Sequence, residues 1–254
     1  MGEVHMCILM IVYQLIKDVP ILLAANRDEY LDRPTEGPCV LTQAPQTWGG
    51  RDKRQGGTWL GINANGLLIG LTNRRVSAGF VNDPLRPSRG LLCLAALQCH
   101  SLAEVITLLT NEPIDRYNPF NLLIANQQEA VWIAYEGSPK ICRLEPGIHI
   151  LANGDLNDFE TVRIHRARRL LQRNVDIQLH TLLSHLERVC KDHESGADAR
   201  ETICMHRPTE NYGTVSSTII ALTPDLRGSV YRYAEGPPCS TPYKDYPLPF
   251  SHIV

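Results

Sequence analysis

Cys7-Ile8-Leu9-Met10-Ile11-Val12-Tyr13, then Ile21-Leu22-Leu23-Ala24-Ala25 and directly behind it Asn26-Arg27-Asp28-Glu29, is the stretch that decides how this chain is built. Both apolar runs have strand length, and the turn-prone Lys17-Asp18-Val19-Pro20 lies between them. The pattern predicts two β-strands joined by a turn, with the second ending at the polar tetrad. A turn that closes a strand needs Asn or Asp. It does not need an Arg-Asp-Glu cluster immediately after an apolar run, so the tetrad is a candidate site.

Met6 precedes Cys7. If translation or processing starts at Met6, loss of the methionine leaves Cys7 as the first residue. A terminal cysteine carries its own base, because an α-amine titrates near ~7.7–8.0 and a thiol near ~8.5. If residues 1–6 are retained, the amine is an amide and that chemistry is closed.

Beyond the tetrad the pattern stays β-like. Gly56-Gly57-Thr58-Trp59-Leu60-Gly61-Ile62 and Leu67-Leu68-Ile69-Gly70-Leu71 flank Asn65-Gly66, a strong hairpin signal. Residues 88–111 read as helical, with Ser101-Leu102-Ala103-Glu104 as a capping box that restarts the helix. Strands resume over 121–125, 131–135 and 149–152. Helices follow over 159–173 and 179–190, then a polar loop over 193–209 and a closing hairpin, 217–223 with 229–233. Strands outside and helices between predict layered sheets with helices packed on their faces. No repeat or linker divides the chain, so one domain over residues 1–254 is expected.

Composition narrows the function. With 254 residues and 43% hydrophobic content the chain can bury a large core. Its net charge of -2 gives no general attraction to nucleic acid or anionic membranes. No apolar stretch nears the ~20 residues of a membrane span, and the first residues lack a secretory signal. The eight cysteines are scattered without a C-x-x-C, which suits reduced thiols in a cytoplasmic setting. Cys93 lies in an apolar helical run and reads as core. His180 and His185 are badly spaced for a metal, and Cys204-Met205-His206 has no partner set in sequence. No metal and no covalent haem are therefore expected; axial haem ligation by one of the nine histidines stays open.

Met6-Cys7-Ile8, Leu23-Ala24-Ala25-Asn26-Arg27-Asp28-Glu29-Tyr30, Gly56-Gly57-Thr58-Trp59-Leu60-Gly61-Ile62 and Leu71-Thr72-Asn73 together resemble the NRDE family, also called the transport and Golgi organisation family. Phe120-Asn121-Leu122-Leu123-Ile124-Ala125, Leu151-Ala152-Asn153-Gly154 and Tyr212-Gly213-Thr214 extend the resemblance in order over nearly the whole chain. It implies an α+β fold: an αββα sandwich of two antiparallel sheets flanked by helices, as in N-terminal-nucleophile hydrolases. Members of the family have been linked to haem handling, lipid and acyl-CoA metabolism, and secretory organisation. More distant relatives of the fold, such as bile-salt hydrolase and penicillin acylase, cut amide bonds. The chain departs from the family pattern in the residues ahead of Cys7 and in Val215, where arginine is common.

The catalytic candidates are Cys7, Asp28, Asn73 and Asn153. Cys7 is either a nucleophile or a small strand residue, and the residues around it favour the first. Asp28 is the first choice for the acid that holds the Cys7 amine, as the acid near this position does in similar folds. Asn73 and Asn153 each close an apolar strand, and each either donates to an oxyanion or merely terminates its strand. Asn26, Arg27, Glu29, Trp59 and Arg74 are the substrate-binding candidates. Arg27 could pair with an anionic substrate group or with its acidic neighbours, and Trp59 lines a pocket or fills core. The basic run Arg163, His165, Arg166, Arg168, Arg169 and Arg173 reads as a solvated helix face rather than a phosphate site.

Two functions compete. One is a cysteine amidohydrolase acting on a small or acyl-containing substrate, without a cofactor. The other is a carrier or chaperone for haem or a lipid or acyl-CoA ligand. The residues leave the oligomeric state undetermined.

Overall fold

The computed structural model describes residues 7–76, 82–172, 178–194 and 201–250. The expected processing segment, residues 1–6, lies outside them, as do Arg173 and residues 195–200 of the expected loop.

Two antiparallel sheets face one another. The first runs β10 (Gly147–Leu151), β1 (Ile8–Ile16), β2 (Val19–Tyr30), β12 (Tyr212–Leu222), β13 (Val230–Ala234) and β14 (Lys244–Asp245), with β11 (His206–Arg207) beside β12. The second runs β3 (Thr35–Gln43), β4 (Gln46–Asp52), β5 (Leu60–Asn63), β6 (Leu68–Asn73), β7 (Phe120–Ala125), β8 (Ala130–Tyr135) and β9 (Pro139–Arg143). Helices α1 (Arg89–Leu97) and α2 (Leu102–Asn111) cover the second sheet; α3 (Val162–Gln172) and α4 (Leu179–Cys190) cover the first. This is the αββα sandwich that the resemblance implies.

Strand alternation builds the layers. In β1, Leu9, Ile11 and Tyr13 enter the core between the sheets, while Ile8, Met10 and Val12 pack under the α3–α4 layer. An internal strand buried on both faces is apolar wherever its side chains have no polar partner, which is why the run over 8–13 is unbroken. Each such side chain contributes roughly 1.5–3 kcal/mol by leaving water. β2 follows the same rule: Ile21, Leu23 and Ala25 face the second sheet, and Leu22 and Ala24 face the helices.

The predicted strand end at Ala25 needs correction. β2 continues through the tetrad to Tyr30, because β12 pairs with it along its length, Ser217 opposite Asn26 and Gly213 opposite Glu29. The tetrad is therefore part of a central strand. β3, β4 and β9 also lie outside the predicted strands. The Asn65-Gly66 hairpin joins β5 to β6, with Gly66 at φ 78°, a conformation glycine adopts freely. The region 88–111 is two helices, and Ser101 caps the second through the Glu104 amide at 3.2 Å. Glu104 reaches back to the His100 amide at 2.8 Å, one residue before the usual capping-box partner. Cys93 is core. Among the described residues no helix is long and apolar enough to cross a membrane.

Candidate active site

A cleft of about 600 Å³ opens where the start of β1, the end of β2 and the end of β6 meet the segment leading into α1. Its lining includes Cys7, Arg27, Asp28, Glu29, Trp59 and Asn73. β1 pairs with β2 so that Ile8 stands opposite Asn26. One step further, Cys7 comes opposite Arg27, on the face that looks toward the second sheet.

Cys7 is half-buried, and its Sγ lies 3.8 Å from the Asp28 carbonyl oxygen. Burial and the Asp28 charge push the thiol up to about 12, while Arg27 acts in the opposite direction. In the chain that keeps Met6, Cys7 is thus a protonated thiol at neutral pH. Iodoacetamide should label it more slowly than the exposed Cys142 at pH 7, and the rate should still be rising at pH 10. Peptide mass spectrometry after timed quenching measures both rates; faster labelling of Cys7 at pH 7 contradicts this.

Asp28 is held from behind the sheet. It is 1% exposed, and Arg163 on α3 donates to its Oδ2 at 2.6 Å while Thr214 on β12 donates to its Oδ1 at 2.6 Å. Burial pushes the carboxyl up, and the Arg163 guanidinium and Thr214 hydroxyl counter this. The Tyr212 hydroxyl donates to the Asp28 carbonyl at 2.9 Å. The carboxylate therefore faces the helix layer, while its backbone carbonyl faces Cys7. Arg163 corrects the solvated-face reading of the basic run, since it is only 3% exposed.

Arg27 points the other way. Its guanidinium lies 4.2 Å from the Trp59 ring centroid, and it donates to Thr35 at 2.9 Å and pairs with Glu29 at 3.6 Å. Glu29 also meets Arg33 at 3.6 Å, and Arg33 pairs with Asp52 at 2.6 Å. A ladder of alternating charge thus forms one wall. Trp59 fits because Gly50 lies beneath its ring, where a Cβ would collide with it. Gly57 plays a similar part: its backbone touches Gly90 at the start of α1, and the Thr58 amide donates to the Gly90 carbonyl at 3.1 Å.

Asn73 lines the cleft at the end of β6. Asn153 sits behind it, its Nδ2 donating to the Asn73 carbonyl at 2.6 Å and its own carbonyl accepting from the Arg75 amide at 2.8 Å. The two asparagines, 80 residues apart, are thus adjacent. Asn153 is itself outside the cleft lining, and two further candidates lie elsewhere. Asn26 turns to the helix layer and donates to the Cys190 and Ile203 carbonyls, both at 2.9 Å. Arg74 is tied to Glu136 and Asp155, both at 2.6 Å, outside the cleft lining.

Sequence reasoning missed the far wall. Arg86 donates to the Tyr117 carbonyl at 2.8 Å and Arg89 to the Pro119 carbonyl at 2.8 Å. Asn118 clasps the Asp83 backbone through a reciprocal pair at 2.9 Å. Arginine, asparagine and proline crowd 82–89 in sequence, but nothing local says that they face a cleft.

Sandwich, helix layers and the position of the cleft define an N-terminal-nucleophile hydrolase-like fold. Penicillin V acylase from Agrobacterium tumefaciens superposes with a TM-score of 0.60 at 13% identity, over 97% of this chain and 88% of that one. The Caenorhabditis elegans ortholog of N-acylethanolamine-hydrolyzing acid amidase gives 0.51 at 13% identity, over 95% of this chain and 100% of that one. The family described as Transport and Golgi organisation 2 matches residues 6–233, and the chain belongs to that family. The Transport and Golgi organization protein 2 homolog of Bos taurus is 29% identical over 238 residues, 81% of this chain and 83% of that protein.

Proposed function

We propose that the chain beginning at Cys7 is a cysteine amidohydrolase that cleaves a non-peptide carbon–nitrogen bond in a small, acyl-containing substrate. The observation that supports this most is the position of Cys7 at the rim of a cleft that Arg27 and Asn73 also line. Loss of residues 1–6 frees the Cys7 amine. The thiol proton passes to that amine, and Sγ attacks the amide carbonyl carbon. The C–S bond forms as the carbonyl electrons move onto oxygen, where the Asn73 amide donates a hydrogen bond. The C–N bond then breaks and the leaving amine takes the proton. Water adds to the thioester, the C–S bond breaks, and the acid leaves with the thiol restored.

Within this reading Asp28 orients the start of β1 through its carbonyl, and Asn153 positions Asn73. Arg27, on its Trp59 platform, receives an anionic group of the substrate. Eight cysteines free of disulfides fit a reducing, cytoplasmic setting for this chemistry.

One observation favours the carrier reading: the cleft lining carries apolar side chains beside its charged ones. Trp59, Leu71, Pro84 and Pro87 then give the cleft its apolar contacts for an acyl chain. For haem, the described lining residues include no histidine or methionine, and a protonated Cys7 thiol is a poor iron ligand, so an acyl ligand fits the cleft better. A panel of acyl amides of graded chain length, assayed by amine release, separates the two. The hydrolase reading expects turnover by the chain starting at Cys7 and none by the chain with residues 1–6. Absence of turnover by both, with retained acyl or haem binding, supports the carrier.

A further inference from the structure

Three segments far apart in sequence bring soft donors together on the helix side of the first sheet, away from the cleft. His193 follows α4, His206 opens β11 and Cys239 lies in the turn after β13, and one ligand atom from each falls within 4.8 Å of the others. His206 Nε2 is 3.1 Å from Cys239 Sγ and 3.6 Å from Cys204 Sγ. Cys204 lies in the bend just before β11, and that 3.6 Å contact puts its side chain beside the His206 ring. Cys204 also contacts the Cys239 side chain.

We infer that His193, His206 and Cys239, with Cys204 as the fourth donor, form a binding site for a thiophilic divalent cation such as Zn2+. Ligand type and number match a tetrahedral Cys₂His₂ set. With metal–sulfur bonds near ~2.3 Å and metal–nitrogen bonds near ~2.0–2.1 Å, sulfur and nitrogen ligands stand about 3.5 Å apart. The two His206–sulfur separations bracket that spacing. His193 has one nitrogen engaged: its Nδ1 lies 2.9 Å from the Lys191 carbonyl, which can only accept, so Nε2 is the nitrogen left for a cation. A ring fixed this way through its second nitrogen is the usual support for a metal-ligating histidine.

The site would serve the fold. The Met205 amide, between Cys204 and His206, donates to Thr214 Oγ1 at 2.8 Å, and Thr214 in turn donates to Asp28. A cation here ties the end of α4, β11 and the 239 turn together directly behind the Asp28 anchor. This inference goes beyond the proposed function and does not depend on it.

Cobalt titration of the reduced full chain tests it. The expected result is one saturable equivalent with a thiolate-to-cobalt charge-transfer band, displaced by zinc, and a zinc-dependent rise in melting temperature. His193→Ala and Cys239→Ser should each weaken binding more than about 100-fold, while Cys142→Ser leaves it unchanged. His193 is exposed, so its variant keeps the fold and the test stands even if Cys239→Ser is unstable. No saturable band, or equal affinity in His193→Ala, overturns the inference.

Discussion

Replacing Arg163 with methionine is expected to cost about 3–5 kcal/mol of stability, the usual penalty for removing one partner of a buried ion pair. The pair is Arg163 Nη2 with Asp28 Oδ2 at 2.6 Å, and the same nitrogen also donates to the Ile203 carbonyl at 2.8 Å. Methionine keeps the stem and the packing but leaves the Asp28 carboxylate buried with Thr214 as its remaining side-chain donor. Desolvation then drives Asp28 further toward its protonated form. The double variant Asp28→Asn with Arg163→Met should recover most of the loss, because it removes both charges. Urea unfolding of the wild type, both single variants and the double variant closes the cycle. A loss below about 1 kcal/mol for Arg163→Met would show that the pair does not anchor the tetrad.

Cys7→Ala, in the chain that begins at Cys7, is expected to reduce amide turnover at least about 10⁴-fold, the scale on which deletion of a nucleophile acts. Stability should change by less than about 1 kcal/mol, since a small side chain at a cleft rim supports little packing and its 3.8 Å contact with the Asp28 carbonyl is weak. Cys7→Ser should retain a trace of activity, because the hydroxyl keeps the geometry but is the poorer nucleophile. The split between activity and stability is what identifies Cys7 as the reacting group: a structural cysteine would lose both or neither. The carrier reading expects instead that ligand binding survives Cys7→Ala and that the wild type turns over no amide.

Much of the sandwich could be read from local pattern. The two-faced apolar runs of β1 and β7, the Asn65-Gly66 hairpin and the Ser101 cap all depend on neighbours within a few residues. What escaped depends on partners far away. The tetrad looked like a strand end because its polar side chains have no local reason to sit in a central strand. For Asn26 and Asp28 the reasons lie in Arg163, Thr214, Cys190 and Ile203, 135 to 186 residues downstream, while Arg27 and Glu29 are held by one another and by Thr35, Trp59 and Arg33. One signal for Arg163 was present: it stands four residues before Ala167 and eight before Leu171, on the buried stripe of α3. Of the proposed cation ligands, Cys204 and His206 stood out as a close pair, but nothing local joined them to His193 or Cys239.

The most direct test of the proposed chemistry is intact-mass analysis after brief mixing with an activated acyl ester or a slow amide substrate. The chain beginning at Cys7 should gain the mass of one acyl group, located on Cys7 by peptide mapping, and lose it again as acid is released. The chain retaining residues 1–6 should gain none. Equal acylation of the two chains, or an adduct on another residue, would contradict a free-amine cysteine mechanism.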